Sequence, residues 1–339
     1  MVTIRDVAAA AGVSQATAAR ALNGYGSVSA KALEKVTASA ALLGYKTNII
    51  AQGLRLGQTH TVGFVPGDIE NPFFATVARH LGDTLEAGGY MLLLSSSDER
   101  LEREQKIIET LRAHMMAGLV IAPTSAASAP HLSALVEAGV PLVLVDRRID
   151  GVEADTVTVD NEGGGFQAVS HLIELGHKRI AVLVDDLAIS SSAERLAGYR
   201  HAFEVHGLRL DPSLTAVGGA SRDGARDATR QLLSMSDRPT ALFTTDNFMT
   251  EGALRAIQDA GLSMPEDISL IGFDDFNLTT FVQPGVTVVS QPIAELGQEA
   301  GRLMLRRLRG ERDPSHNVSL LAELVVRGSA RPPALVSPR

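Results

Sequence analysis

The sequence predicts a small all-α helix-turn-helix domain followed by a bilobal α/β body of two doubly wound parallel-sheet subdomains. Three observations carry this. The opening stretch has helical periodicity broken by a glycine-serine turn, and from His60 short apolar runs alternate with helical segments. After Asp160-Asn161 that alternation starts again.

Taken in order, Ile4, Val7, Ala8 and Ala11 fall on one helical face, closed by Gly12. Ser14 is placed to cap the next helix, because its hydroxyl can accept an orphan N–H of the first turn. Gly12-Val13-Ser14 therefore reads as a tight connector between two short helices. On the second helix Val13, Ala18 and Leu22 point inward, while Gln15, Ala16, Thr17 and Arg20 face outward. Gln and Arg are the side chains that read adenine and guanine edges bidentately in a major groove. The same pattern also fits a plain helical hairpin with a polar face. After a turn at Asn23-Gly24-Tyr25-Gly26, Ser29 caps a third helix, about Ala30 to Leu43, with Leu33, Val36, Ala40 and Leu43 inward; Gly44 ends it. Asn48 to Arg55 could add about two turns, too few to be stable alone in water, and Gly53 weakens them by about 1 kcal/mol relative to Ala.

The body begins with strand Thr61 to Val65, helix Pro72 to Ala87, strand Tyr90 to Leu94, helix Glu99 to Ala113 and strand Gly118 to Ala122. Helix His131 to Ala138 and strand Pro141 to Val145 follow. The second round comprises helix Gly164 to Leu175, strand Ile180 to Val184, helices Ser191 to His206 and Arg222 to Ser234, strand Thr240 to Thr244, helix Asn247 to Ala260 and strand Ser269 to Phe273. A tail helix, Pro292 to Arg309, and strand Leu321 to Val326 complete it. Buried apolar runs alternating with helices argue for parallel sheets covered on both faces.

A chain of 339 residues has room for two or three domains with full cores. The absence of cysteine excludes disulfides, thiolate metal sites and thiol nucleophiles. The start has no apolar signal core and no run is long enough to cross a bilayer, so a cytoplasmic, nucleoid-associated protein without membrane contact is expected. The net charge of −8 is unevenly spread: residues 1–57 carry +4, leaving −12 on the rest. A basic module on an acidic body suits nucleic-acid binding confined to one end.

The order and spacing of Thr3-Ile4-Arg5-Asp6-Val7-Ala8, Gly12-Val13-Ser14, Thr17, Arg20 and Leu22-Asn23 resemble the opening of LacI/GalR-family transcription regulators. The resemblance continues through Leu42-Leu43-Gly44-Tyr45, Asn48 and Ala51-Gln52-Gly53-Leu54-Arg55, then over essentially the whole remainder. The family usually has Val and Ser where this chain has Ala18 and Ala19, and often a polar residue at Ala16. That last departure shifts base reading toward Gln15, Thr17 and Arg20. The resemblance implies a periplasmic-binding-protein-like body and a homodimer, with a tetramer possible, on double-stranded operator DNA. The DNA contacts it implies are Thr3, Ser14, Gln15, Ala16, Thr17, Arg20, Asn23, Tyr45, Leu54 and Arg55. It divides the chain into a helix-turn-helix domain at 1–46, a hinge helix and linker at 47–59, and an effector-binding and dimerisation domain at 60–339. Within the last, an N-subdomain spans about 60–160 plus 291–320, and a C-subdomain about 161–290 plus 321–339. The hinge would order beside its dimer partner, with Leu54 wedged in the minor groove.

Two doubly wound units place a ligand cleft between them, near the carboxyl ends of the strands. Asp146-Arg147, Asp160, Thr245-Asp246 and Asp274-Asp275 all follow strands, and Ser191 and Arg195 open a helix. Arg195-Leu-Ala-Gly-Tyr199 and Gly272-Phe-Asp-Asp275 match family motifs, which aligns Arg195 and Asp274 with effector contacts. The implied effector set is Phe73, Asp146, Arg147, Asp160, Ser191, Arg195, Thr245 and Asp274, with Phe73 a stacking wall and Asp246 a structural cap. Carboxylates accept from hydroxyls and arginine donates a planar fork, which suits a neutral sugar or polyol. Arg147 with Arg195 leaves a sugar acid or phosphate as the alternative. Gly163-Gly164-Gly165 lacks a phosphate-loop continuation, Ser190-Ser191-Ser192 lacks a nucleophile elbow, and the histidines lack ligand spacing. No catalytic, cofactor or metal residues are expected. The reading is a ligand-controlled repressor, not an enzyme; a solute-binding protein of the same bilobal shape is the rival.

Overall fold

The computed structural model describes residues 2–23, 27–45 and 59–334 and divides into two compact units, Met1–His60 and Thr61–Arg339. Leu54, Arg55, nearly all of the expected hinge and the side chain of Asn23 lie outside the described residues.

The first unit holds α1 (Ile4–Ala11), α2 (Gln15–Asn23) and α3 (Ala30–Leu42). Thr3 and Asp6 form a reciprocal capping box, the Thr3 N–H donating to the Asp6 carboxylate at 2.8 Å. Those bonds, the backbone one foremost, hold the Asp6 carboxyl below its ordinary value. At the other end Gly12, with φ of 65°, takes the left-handed conformation that lets Val13 N–H return to Ala8 O at 3.0 Å. Ser14 then caps α2, accepting from Thr17 N–H at 3.1 Å, and Ser29 caps α3. Apart from Val7 and Val36 the buried core is alanine, so the hydrophobic term is small and the unit is marginally stable by itself. One expectation fails. Leu33 is 45% exposed, and the inner face of α3 runs instead through Val36, Ala40 and Leu43. Leu33, three residues before Val36, falls to one side of the line through Val36 and Ala40, on the flank of the helix that stays in solvent.

The second unit contains two six-stranded sheets of corresponding order. The first lobe runs β1 (Thr61–Val65), α4 (Pro72–Ala87), β2 (Met91–Leu94), α5 (Leu101–Ala113), β3 (Gly118–Ile121), α6 (Ala129–Glu137), β4 (Leu142–Val145) and β5 (Asp155–Val159). The second runs α7 (Asn161–Glu174), β6 (Ile180–Val184), α8 (Ser190–Val205), β7 (Thr215–Val217), α9 (Arg222–Leu233), β8 (Ala241–Thr244), α10 (Asn247–Asp259), β9 (Ser269–Phe273), α11 (Asn277–Phe281) and β10 (Thr287–Ser290). Then α12 (Ile293–Leu308) returns to pack on α4, β11 (Asn317–Leu320) joins the first sheet and β12 (Glu323–Val325) the second.

The orders are β11-β5-β4-β3-β1-β2 and β12-β10-β9-β8-β6-β7. All pairings are parallel except β12, which runs antiparallel to β10. Strands β1, β3, β4, β6, β8 and β9 are buried along their whole length, which is why they read as unbroken apolar runs. Periodicity does not mark β7, α11, β10 or β11, each only three to five residues long. The expected strand Leu321 to Val326 is shorter, and Leu321 precedes it as an exposed residue between the two sheets. Among the described residues no helix is long and apolar enough to cross a membrane.

Candidate nucleic-acid interface and ligand cleft

In the helical unit Thr3, Ser14, Gln15, Ala16 and Arg20 are exposed, while Thr17 and Tyr45 are half-buried. The Thr17 hydroxyl lies 2.8 Å from that of Ser14 and so serves the cap first. Tyr45 packs its ring against the alanine core. Ala16 and Arg20 are one helical turn apart on the same face, and the methyl at Ala16 leaves the Arg20 stem uncrowded.

In the second unit, polar side chains gather at the carboxyl ends of β4, β6, β8 and β9. Asp146 follows β4 and Asp274 follows β9, equivalent strands in the two sheets. Both sit at positive φ, 69° and 78°, a conformation costly for a non-glycine residue and found where function holds it. Each is pinned the same way: Asp146 N–H donates to Val157 O at 2.9 Å, and Asp274 N–H to Val289 O at 2.8 Å. Asp185 follows β6, and Thr245-Asp246 follows β8. All these carboxyls are buried, together with Arg147, Ser191 and Arg195.

Arg195, on the second turn of α8, donates from Nε to Asn161 Oδ1 at 2.8 Å and from Nη1 to Thr245 O at 2.6 Å. Its guanidinium lies 3.8 Å over the Phe273 ring. Arg147 is more fully engaged: both Nη atoms donate to Glu99 at 2.7 Å, Nη1 also reaches Pro123 O at 2.9 Å, and Nε reaches Asp146 at 3.2 Å. Burial raises the carboxyls of Asp146, Asp185, Asp246 and Asp274, Asp246 the most, against the opposing pull of Arg195. Neighbouring carboxylates push Asp246 and Asp274 further in the same direction.

The lobes touch around this cluster. Asn247 Nδ2 donates to Asn71 Oδ1 at 2.7 Å, Arg148 N–H to Ser190 Oγ at 3.1 Å, and the Arg148 guanidinium pairs with Glu194 at 2.9 Å. The Asn71 side chain also caps α4, accepting from Phe73 N–H at 3.0 Å. Phe73 is buried edge-on to Phe74, with ring centroids 5.1 Å apart.

Of the residues expected in the cleft, Asp146, Arg147, Ser191, Arg195, Thr245 and Asp274 form or adjoin the buried set. Asp160 stands elsewhere. It caps α7, accepting from Gly163 N–H at 2.9 Å, and lines a separate polar hollow of about 480 Å³ with Asp150, Glu162 and Glu194. Asp246 caps α10 through Met249 N–H at 2.7 Å and belongs to the buried carboxyl cluster as well. Asp185, Asn161, Glu99, Asn247 and Gln291 join the site without having been expected there. Asp185 had a signal, for it follows the run Ile180 to Val184 as Asp146 follows Leu142 to Val145. Gln291 had none, because it follows β10, which periodicity does not mark. Among the described residues no His, Asp or Glu group could hold a metal ion.

A helix-turn-helix unit in one chain with a two-sheet body that has a buried polar cleft defines a class, a DNA-binding module combined with a ligand-binding one. Residues 3–48 match the family of bacterial regulatory proteins, lacI family, and residues 169–330 match the periplasmic binding protein-like domain. The HTH-type transcriptional regulator DegA of Bacillus subtilis (strain 168) is 33% identical over 333 residues, covering 97% of this chain and 98% of DegA. The lac repressor dimer bound to operator and an anti-inducer is 29% identical with a TM-score of 0.86, covering 97% and 98%. A transcriptional regulator CelR–cellobiose complex is 31% identical with a TM-score of 0.74, covering 97% and 100%. The chain belongs to the lacI family of bacterial regulatory proteins. It is a ligand-responsive transcriptional regulator and not an enzyme.

Proposed function

We propose that this regulator is a repressor. It binds a pseudopalindromic operator as a homodimer and is controlled by a sugar-class, non-anionic effector held between the two lobes of residues 60–339. The observation that carries the effector class is the buried cluster of Asp146, Asp185, Asp246 and Asp274 around Arg195. Carboxylates and one guanidinium with donors to spare match vicinal hydroxyls. The cellobiose bound by CelR supports the same class. A sugar acid or phosphate fits less well, since Glu99 already takes Arg147 bidentately and the surrounding carboxylates repel an anion. Bridges such as Asn71–Asn247 and Arg148–Glu194 are the contacts whose making and breaking would couple effector to operator, a reciprocal free energy between two sites.

On the DNA side, Gln15, Thr17 and Arg20 read bases, while Thr3, Ser14, Ala16, Asn23, Tyr45 and Arg55 position the domain, and Leu54 wedges the minor groove from the hinge at 47–59. The operator is first selected from genomic fragments by gel shift. Arg20→Ala then costs about 1–3 kcal/mol on the operator and much less on random DNA. Equal losses on both would reduce Arg20 to a phosphate contact.

A further inference from the structure

Three fully buried side-chain atoms of the cleft have no partner, and all three are acceptors. Asp185 Oδ1, Asn247 Oδ1 and Gln291 Oε1 are buried without a partner, on side chains of residues only 7%, 2% and 7% exposed. Their orientations are fixed by what the other end of each group does. Asn247 Nδ2 donates to Asn71 Oδ1, which already accepts from Phe73 N–H, so reversing the amide would set two acceptors face to face. Gln291 Nε2 donates to the Asp274 carboxylate, which leaves Oε1 as the open end. Asp185 takes a hydrogen bond from Ser192 and keeps one oxygen open. A buried acceptor without a donor costs about 1–3 kcal/mol, so three in one cleft call for donors from outside the chain.

The charges point the same way. Asp146, Asp185, Asp246 and Asp274 act on one another across the cleft, and Arg195 is the cation they share. Arg147 adds little toward a ligand, being bound at both Nη atoms by Glu99. A neutral hydroxyl brings one donor, but also lone pairs that need donors of their own. A protonated amine brings three donors, no acceptor and a positive charge. We propose that the effector is a hydroxylated primary amine, an amino sugar bound as its ammonium form, with the amine against Asp185 and its hydroxyls on Asn247, Gln291 and Asp274. This rests on the sugar-class reading above. Asp185 sets the charge preference, because of these three unpartnered acceptors its Oδ1 is the one that belongs to a carboxyl acting on Arg195.

The test is calorimetry on the full chain at neutral pH. Glucosamine, galactosamine and mannosamine are compared with glucose, galactose and mannose and with the N-acetylated forms of the three amines. At least one amine is expected to bind about tenfold or more tightly than both its parent hexose and its acetylated form. Asp185→Asn is expected to bring that amine within about threefold of the parent hexose. That variant also has an internal fold check. Burial raises the Asp185 carboxyl, so its stabilising contribution is present below the unfolded range and lost as pH rises. Asp185→Asn should therefore unfold at a higher temperature than the parent at neutral pH, with the gain vanishing in acid. Parent or acetylated hexoses that match the amines, or an ammonium preference that survives Asp185→Asn, would overturn the proposal. Binding of neutral hexoses alone leaves the sugar-class reading standing, whereas no binding by any member of the panel removes both.

Discussion

Asp274→Ala abolishes the effector response while the ligand-free protein still binds its operator. Asp274 is held at positive φ after β9, hydrogen-bonded by Gln291 and acted on by Arg195, so its carboxylate is preset before any ligand arrives. A hydrogen bond to a charged group contributes about 1.5–3 kcal/mol, and a buried partner left unpaired adds its desolvation cost. In this cleft the loss falls on the ligand, whose hydroxyl would face a void where the carboxylate stood. Operator binding is read by anisotropy and effector binding by calorimetry on the same preparation. Normal effector affinity in Asp274→Ala would remove this aspartate from the site.

The second large effect is on stability, from a residue that touches no ligand. Gly198→Ala would ordinarily stabilise a helix interior by about 1 kcal/mol. In this helix pair the new Cβ would lie 2.1 Å from Glu162 O and 2.7 Å from Phe166 N, both main-chain atoms that cannot rotate away. Across the same contact, a Cβ on Gly165 would come within 2.5 Å of Arg195 O. Helices α7 and α8 therefore approach to backbone distance, and that approach sets Asn161 against Arg195. Gly198→Ala is expected to lower unfolding free energy by about 3 kcal/mol, read as a shift in urea midpoint with unchanged slope. It should also weaken effector binding by moving Arg195. A neutral or stabilising result would mean that the two helices separate without cost.

Much of this is legible in the chain itself. The parallel strands announce themselves because both faces are buried, so Ile180 to Val184 and Ser269 to Phe273 read as continuous runs. The N-cap at Ser14 and the glycine stop at Gly12 were equally plain, since short-range hydrogen bonding sets them. What stayed hidden depends on contacts distant in sequence. Strand β11 is a partner for β5 only because α12 carries the chain back across the first lobe. The engagement of Arg147 by Glu99, 48 positions earlier, is invisible to local pattern, yet it decides how much positive charge a ligand meets. Asp160 illustrates the converse. It follows a strand as Asp146 does, but its strand is β5, next to the sheet edge, and its carboxylate closes a helix instead of facing Arg195.

The most direct measurement is the dissociation constant of the full chain for its selected operator, taken with and without the sugar-class ligand that stabilises it most in calorimetry. If the cleft controls the helical unit, saturating ligand changes operator affinity by at least about fivefold, and operator changes ligand affinity by the same factor. A ligand that binds the cleft tightly while leaving operator affinity unchanged would contradict the account.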